Sequence, residues 1–315
     1  MSYRDSAISQ MVAPYQTRPV HLGGVLQVMV TRACDKSCFS CTQGSNLAGK
    51  PMIMTPDQYA QALESLRGYF GVVGMFGGNP AMHPQFEELC KILRDSWVPW
   101  HQRGIWCNHP RGKIATIAET FHPEHSNLNV HMDQEAYDQF ATGWPASIPW
   151  LKGMDADSLH SSIYVALKDV IPDEDVRWQL IQRCDINRFW SALIGVFRGE
   201  LRAWFCEIAA AQAMLHDREP DYPDTGVAVE PDWWRRPIQD YAHQIDKHCH
   251  DCGVPLRGRG EMAMTGTKEQ VSITHLSVYK PKTKDRTVEI VDQLEQVKPG
   301  ASQCMTDYIG LGRRG

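Results

Sequence analysis

The sequence has no long hydrophobic run. None approaches the roughly 18 residues that a bilayer-spanning helix needs. It has no excess of basic charge either: 32 Lys and Arg stand against 37 Asp and Glu, a formal net charge of −5. That balance lacks the electrostatic footprint of a protein that grips nucleic acid or an anionic membrane. Met1 to Pro19 shows no basic-then-apolar pattern of a secretory signal. Internal repeats and low-complexity segments are also missing. These absences leave a cytoplasmic reading, with neither nucleic acid nor membrane as partner.

What is present is ordinary in bulk. The 315 residues are 43% hydrophobic and 22% charged, a globular composition for one large domain or two. Ten cysteines stand out. In a reducing compartment they point to metal or catalysis rather than to disulfides.

Three of them, Cys34, Cys38 and Cys41, form a C-x3-C-x2-C frame just after the apolar run Val25 to Val30. Three thiolates in one short loop can converge on one metal centre. Structural zinc takes four ligands, and no fourth Cys or His lies nearby in sequence. Three cysteines and a vacancy suit an iron–sulfur cluster with one iron left open. The plainer alternatives are half of a zinc site, or cysteines that merely fill a loop.

Around this loop the chain alternates. Gly24 to Thr31 reads as a buried strand. Thr55-Pro56-Asp57-Gln58 is a helix start, with Thr as N-cap, Pro at the first position and Gln closing a capping box; the helix should run to about Tyr69. Gly71 to Phe76 is a short strand that ends in Gly77-Gly78-Asn79-Pro80. Helical spacing returns over Gln85 to Trp97, with Phe86, Leu89 and Leu93 on one face. Strands are expected at Ile105 to Cys107, Leu128 to His131 and Ser162 to Leu167. Helices are expected at Lys113 to Thr120, Gln134 to Ala141 and Asp173 to Gln182. The alternation argues a parallel α/β sheet. The cysteine loop, the Gly-Gly-Asn-Pro stretch and Asn108 all fall at strand carboxyl ends and should share one face.

The second half differs. Gly195 to Leu201 and Ala203 to Leu215 look like a hairpin followed by a helix. Arg218 to Trp234 reads as a loop, Arg236 to His248 as a helix, Val271 to Val278 as a strand and Val288 to Gln296 as a helix. Three divisions follow: an extension over 1–23, a barrel-like part over 24–180, and a smaller α+β part over 181–315.

The cysteine frame after a strand resembles the radical S-adenosylmethionine (SAM) superfamily. The stretch Gly77-Gly78-Asn79-Pro80, about forty residues on, sits where that family carries Gly-Gly-Glu-Pro. Asn79 here replaces the acidic residue, which is tolerable if main-chain carbonyls make the contact. The resemblance covers roughly residues 24–170 and implies a partial (β/α)6 barrel. It implies a [4Fe–4S] cluster on Cys34, Cys38 and Cys41 whose open iron chelates SAM. Reductive cleavage of SAM would then yield a 5′-deoxyadenosyl radical. Phe39 would pack beside the adenine, Asn108 would reach the ribose, and Asn129 is a further candidate contact. Each of these could equally be a packing or satisfied polar group.

Cys184, Cys206, Cys249 and Cys252 follow in an order that resembles the twitch domain, a shortened SPASM domain. That domain holds a fully ligated auxiliary [4Fe–4S] cluster, as in the 2-deoxy-scyllo-inosamine dehydrogenase-like members. The alternatives are buried small hydrophobes for Cys184 and Cys206, and a zinc knuckle of Cys249 and Cys252 with His248 or His250. An auxiliary cluster would take the second electron of an oxidation while a base takes the proton. His131, Lys168 and Asp169 are the candidate bases, and Cys304 is a spare ligand or a hydrogen donor. Trp233-Trp234-Arg235-Arg236, read as an exposed loop, could grip an anionic group such as a nucleotide diphosphate.

The expected activity is oxidation of a small polar substrate, a carbohydrate- or cyclitol-like alcohol, as a sugar or a nucleotide-sugar. A one-electron reductant such as flavodoxin or ferredoxin would drive it. Sugar epimerisation, peptide modification and a zinc-stabilised binding module are the rival readings.

Overall fold

A computed structural model describes residues 2–17, 24–144, 147–184, 191–256 and 258–298 of the chain. In order come α1 (Tyr3–Thr17), β1 (Val25–Thr31), α2 (Pro56–Ser65), β2 (Val72–Gly77), α3 (Phe86–Asp95) and β3 (Arg103–Ile105). They are followed by α4 (Ile114–Thr120), β4 (Leu128–Asn129), α5 (Gln134–Gly143), β5 (Leu151–Lys152), β6 (Leu159–Ser161), α6 (Leu167–Val170) and α7 (Glu174–Gln182). The remainder comprises β7 (Ser191–Phe197), β8 (Glu200–Trp204), α8 (Glu207–Leu215), β9 (Val227–Ala228), α9 (Ala242–His248), β10 (Gly260–Met262), β11 (Glu269–Val271) and β12 (Val288–Ile290).

The architecture is mixed α/β around a central, mostly parallel sheet of order β3-β2-β1-β7-β8-β9. β1 pairs in parallel with β2 on one side and with β7 on the other. Every residue of β1 is buried, as a strand covered on both faces requires. β7, β8 and β9 then run antiparallel. Beyond β3, a parallel bridge joins Trp106 to Asn127, and β4 pairs in parallel with β5. The carboxyl ends of β1 to β5 therefore succeed one another along one edge.

Local chemistry explains the element starts. Gln58 N–H donates to Thr55 Oγ1 at 3.2 Å, and Thr55 N–H donates back to Gln58 Oε1 at 3.0 Å. This is the reciprocal capping box, with Pro56 at the first helical position. α3 buries Phe86, Leu89, Cys90 and Leu93, the face its spacing calls for.

Several expectations need correcting. The N-terminal extension carries a helix over Tyr3–Thr17; α1 packs against α7, and Arg4 Nε reaches Asp246 Oδ1 at 2.7 Å. α2 stops at Ser65, short of Tyr69. Ser162 to Leu167 is not a strand. Its apolar residues are buried, but Ser162 O accepts from Val165 N–H at 3.0 Å in a turn, and α6 begins at Leu167. A short apolar run reports burial, not strand pairing. The strand expected over 271–278 lies at 269–271, and 288–290 is its strand partner rather than a helix. The central sheet takes strands from both sides of residue 180, because β7 hydrogen-bonds directly to β1.

Candidate metal centre and cavity

The cysteine loop starts where β1 ends. Ala33 N–H donates to Thr31 Oγ1 at 3.0 Å, turning the chain out of the strand. The half-buried Arg32 holds the far side of the loop through Gln43 O at 3.1 Å and Gly44 O at 2.9 Å. Between Cys38 and Cys41, Ser40 takes a left-handed conformation, φ 47°. Its N–H donates to the Glu269 carboxylate at 2.8 Å and its hydroxyl does so at 2.7 Å. Asn46 Nδ2 at 3.4 Å and the Tyr279 hydroxyl at 3.3 Å donate to the same carboxylate. Sequence reading missed Glu269. It stands 229 residues from Ser40, and nothing local marks it.

Cys34, Cys38 and Cys41 line one end of a cavity of about 680 Å³. Gly77 and Gly78 form part of its wall. Their glycines serve chain packing. A Cβ on Gly77 would stand 2.2 Å from Thr31 O, and one on Gly78 would stand 2.6 Å from Ala33 O. Asn79 is fully buried and does not line the cavity. Its Nδ2 donates to His109 O at 3.0 Å and its N–H donates to Ala33 O at 2.8 Å, tying β2's end to the cysteine loop. Pro80 opens the short turn that follows and is buried with it.

Asn108 lines the cavity and donates from Nδ2 to Cys34 Sγ at 3.2 Å. Asn129, at the end of β4, also lines it; its Nδ2 donates to Ser158 Oγ at 2.7 Å. His131 lines it in a left-handed backbone, φ 52°, with its ring edge on His160 at 5.5 Å between centroids. Burial first, then His160 and Lys36, pushes the His131 ring down to about 3, so it is neutral at ordinary pH. Trp106, which no sequence motif marks, lines the cavity with its ring beside Phe76. Three buried polar atoms here, Trp106 Nε1, Asn108 Oδ1 and His131 Nδ1, have no hydrogen-bond partner among the described residues. Buried polar atoms without partners are rare and costly, and such atoms on a cavity wall suit a polar ligand.

Other expected groups lie elsewhere. Phe39 does not line the cavity; it packs under the Arg286 guanidinium, 3.5 Å from the ring centroid. Lys168 and Asp169 sit on α6, not at a strand end facing the cavity. Lys168 Nζ pairs with Asp251 at 2.6 Å, and Asp169 accepts from Thr274 N–H at 3.0 Å. They miss the cavity because Ser162 to Leu167 turns instead of extending. Trp233 and Trp234 are buried rather than exposed; Arg235 lies over Trp234 and Arg236 pairs with Glu230. Cys304 falls outside the described residues.

The four remaining cysteines come together. Cys184, Cys206, Cys249 and Cys252 line one small apolar cavity, with Ile208 and Val254 among its other walls. Ile208 and Val254 also line the large cavity, so the two cavities share part of their walls. His248 lines the small cavity, but its ring nitrogens are engaged, Nε2 with Thr225 Oγ1 at 2.8 Å and Nδ1 with Gln212 Oε1 at 3.3 Å. His250 points elsewhere, with Arg177 donating to its Nδ1 and its ring on Trp178. The donor set is thus four thiols and no histidine.

Cys34, Cys38, Cys206 and Cys252 are poorly placed to ionise alone. Burial, then the neighbouring Cys41, pushes Cys34 up to about 11. Burial, then Cys41 and Cys34, raises Cys38 well above its ordinary value. Burial, then Cys184, does the same to Cys206 and Cys252. A cationic centre set among them offsets both the burial and the mutual repulsion.

Among the described residues, no three His, Cys, Asp or Glu side chains are gathered as ligands of one metal ion. A tetrahedral zinc with Zn–S of about 2.3 Å needs its sulfurs roughly 3.8 Å apart. A four-iron cluster is a larger body with its ligands on the outer corners. The triplet beside a roomy cavity fits such a body in donor type and space. At the second site only about 20 Å³ is free, so a cluster there requires the sulfurs to swing outward, although the donor set is the right one.

No protein-family model matches the chain, and no curated protein matches it.

Proposed function

We propose that the chain is a radical SAM enzyme that oxidises a small polar alcohol, carbohydrate- or cyclitol-like. The observation that carries this reading is the grouping of seven cysteines as three and four around two cavities that share Ile208 and Val254. The fold is read accordingly as a partial (β/α)6 barrel whose sheet is extended by a twitch-like part. Cys34, Cys38 and Cys41 would hold the [4Fe–4S] cluster that binds SAM. Cys184, Cys206, Cys249 and Cys252 would hold an auxiliary [4Fe–4S] cluster. When bound, these groups supply a radical that abstracts hydrogen and an acceptor for the electron left behind.

The residues of the chain set the conditions for that chemistry. The Asn108 amide directs a hydrogen bond at Cys34 Sγ, which stabilises a thiolate there and orients the ligand. The apolar Ile208 and Val254 side chains form walls common to the two sites. His131, neutral and on the cavity wall, offers a ring nitrogen to a hydroxyl proton. Lys168 pairs with Asp251 in the Cys249–Cys252 loop instead, and Asp169 accepts from Thr274.

The test is iron and sulfide content with electron paramagnetic resonance of the anaerobically reconstituted, reduced protein, with and without SAM. About eight irons per chain, with one signal perturbed by SAM, is the expected result. About four irons, all in a SAM-responsive cluster, would remove the internal electron acceptor and favour a redox-neutral reaction such as epimerisation. Colourless protein holding zinc would refute the reading. Cys34→Ala, Cys38→Ala and Cys41→Ala should each abolish SAM cleavage.

A further inference from the structure

Residues 280–286 run along the cysteine loop and are not among the residues that line the cavity. Ala48 N–H donates to Lys280 O at 2.7 Å, and Lys282 N–H donates to Asn46 O at 2.8 Å. An antiparallel bridge joins Leu47 to Pro281. Lys282 Nζ contacts Cys34 O, and Arg286 covers Phe39. The segment therefore touches the loop at its first cysteine, beside its second, and just beyond its third.

That segment is strongly basic. Lys280, Lys282, Lys284 and Arg286 against Asp285 give four positive charges and one negative, a local +3 on a chain of net −5. Lys280 and Lys284 are exposed, and neither has an ion pair among the described residues. Lys50 and Lys268 are exposed on the adjoining stretches. The acidic groups beside the loop are engaged: Glu269 holds Ser40, Asp133 pairs with Lys36, and Asp35 lies 3.8 Å from Arg111. Charge of one sign left exposed at one spot steers an oppositely charged partner.

We infer that this basic segment is the docking surface for an acidic one-electron donor protein. The inference rests on the reading of Cys34, Cys38 and Cys41 as a cluster site. An electron must reach that cluster from outside, and the inner side of the loop is the cavity that holds the reactants. Donor docking on residues 280–286 brings a redox centre to the same cysteine loop from outside the cavity. Electron-transfer encounters are small, transient and strongly charge-guided, which suits a short exposed basic segment. The step is one electron from the donor's reduced flavin to the oxidised cluster, with no bond made or broken in the chain.

The test uses the full chain with its iron reconstituted, mixed anaerobically with the hydroquinone of a bacterial flavodoxin as probe. Loss of the cluster's visible absorption gives the reduction rate across ionic strength. The variant is Lys280→Glu with Lys284→Glu; Lys282 is left intact because it holds Cys34 O. An Arg67→Glu, Lys91→Glu variant, changed after α2 and on α3, makes the same change in net charge elsewhere. Wild type should slow as salt rises. The Lys280/Lys284 variant should be at least about tenfold slower at low salt and nearly insensitive to salt. The Arg67/Lys91 variant should stay near wild type, and dithionite should reduce all three at one rate. Equal rates with flavodoxin, or an equal loss in both charge variants, would overturn the docking surface. A matching loss with dithionite would also overturn it, since the charges would then act on the cluster itself. A chain that takes up no iron fails before any donor is added, and that refutes the cluster reading instead.

Discussion

Replacing Glu269 with Ala removes the one carboxylate that organises the cysteine loop from the distant C-terminal part. Two short hydrogen bonds are lost, from Ser40 N–H at 2.8 Å and Ser40 Oγ at 2.7 Å, with weaker ones from Asn46 and Tyr279. Hydrogen bonds to a charged group contribute about 1.5–3 kcal/mol each, so the two short ones total roughly 3–6 kcal/mol. The carboxylate itself is costly to bury, and burial raises its pKa above the ordinary carboxylate range. Its removal gives back part of that cost, of the order of 1–2 kcal/mol. The expected net loss is about 3 kcal/mol, read as a lower midpoint in urea unfolding. Ser40 N–H is left buried with its left-handed conformation unsupported, so the three cysteines lose their spacing. Iron bound at Cys34, Cys38 and Cys41 should then pass to a chelator at least about tenfold faster, the equivalent of 1.4 kcal/mol. Glu269→Gln keeps an acceptor for Ser40 N–H but sets an amide against the Asn46 amide, and should fall between. A loss under about 1 kcal/mol with unchanged iron retention would refute the clamp.

Cys249→Ala should lower iron content and impair substrate turnover more than uncoupled SAM cleavage; unchanged iron would remove the auxiliary site as drawn. His131→Gln tests the buried neutral ring. Its pKa, held at about 3 when folded against roughly 6.5 unfolded, makes the native state lose stability as pH falls below 6.5. Between pH 7 and pH 5 that loss is about 2 kcal/mol, and the variant's urea midpoints should lack this part of the pH dependence. Gly77→Ala forces a Cβ to within 2.2 Å of Thr31 O. It should destabilise the fold by roughly 1–3 kcal/mol, measured by thermal unfolding.

Some of the molecule was legible in the one-dimensional pattern because the cause is local. The capping box at Thr55 and Gln58, the buried face of α3 and the hairpin of β7 and β8 depend on neighbours a few residues away. Ser162 to Leu167 was misread because a run of apolar residues states only that it is buried. Whether it extends depends on a free strand edge, and here Ala166 N–H goes to Ser272 Oγ instead. Trp233 and Trp234 were misread for the complementary reason, since loop composition does not say what covers a loop.

By itself the sequence determined the α/β alternation, the cysteine spacing and the glycines that let β2's end pass against the loop. These follow from periodicity, chain reach and the missing Cβ. Only the tertiary structure decided that four cysteines spread from 184 to 252 meet at one cavity, and that this cavity shares Ile208 and Val254 with the first. It alone placed Glu269 under Ser40 and turned Lys168 and Asp169 away. Contacts between distant residues are set by sheet order and packing, and a linear pattern does not encode which buried surfaces meet.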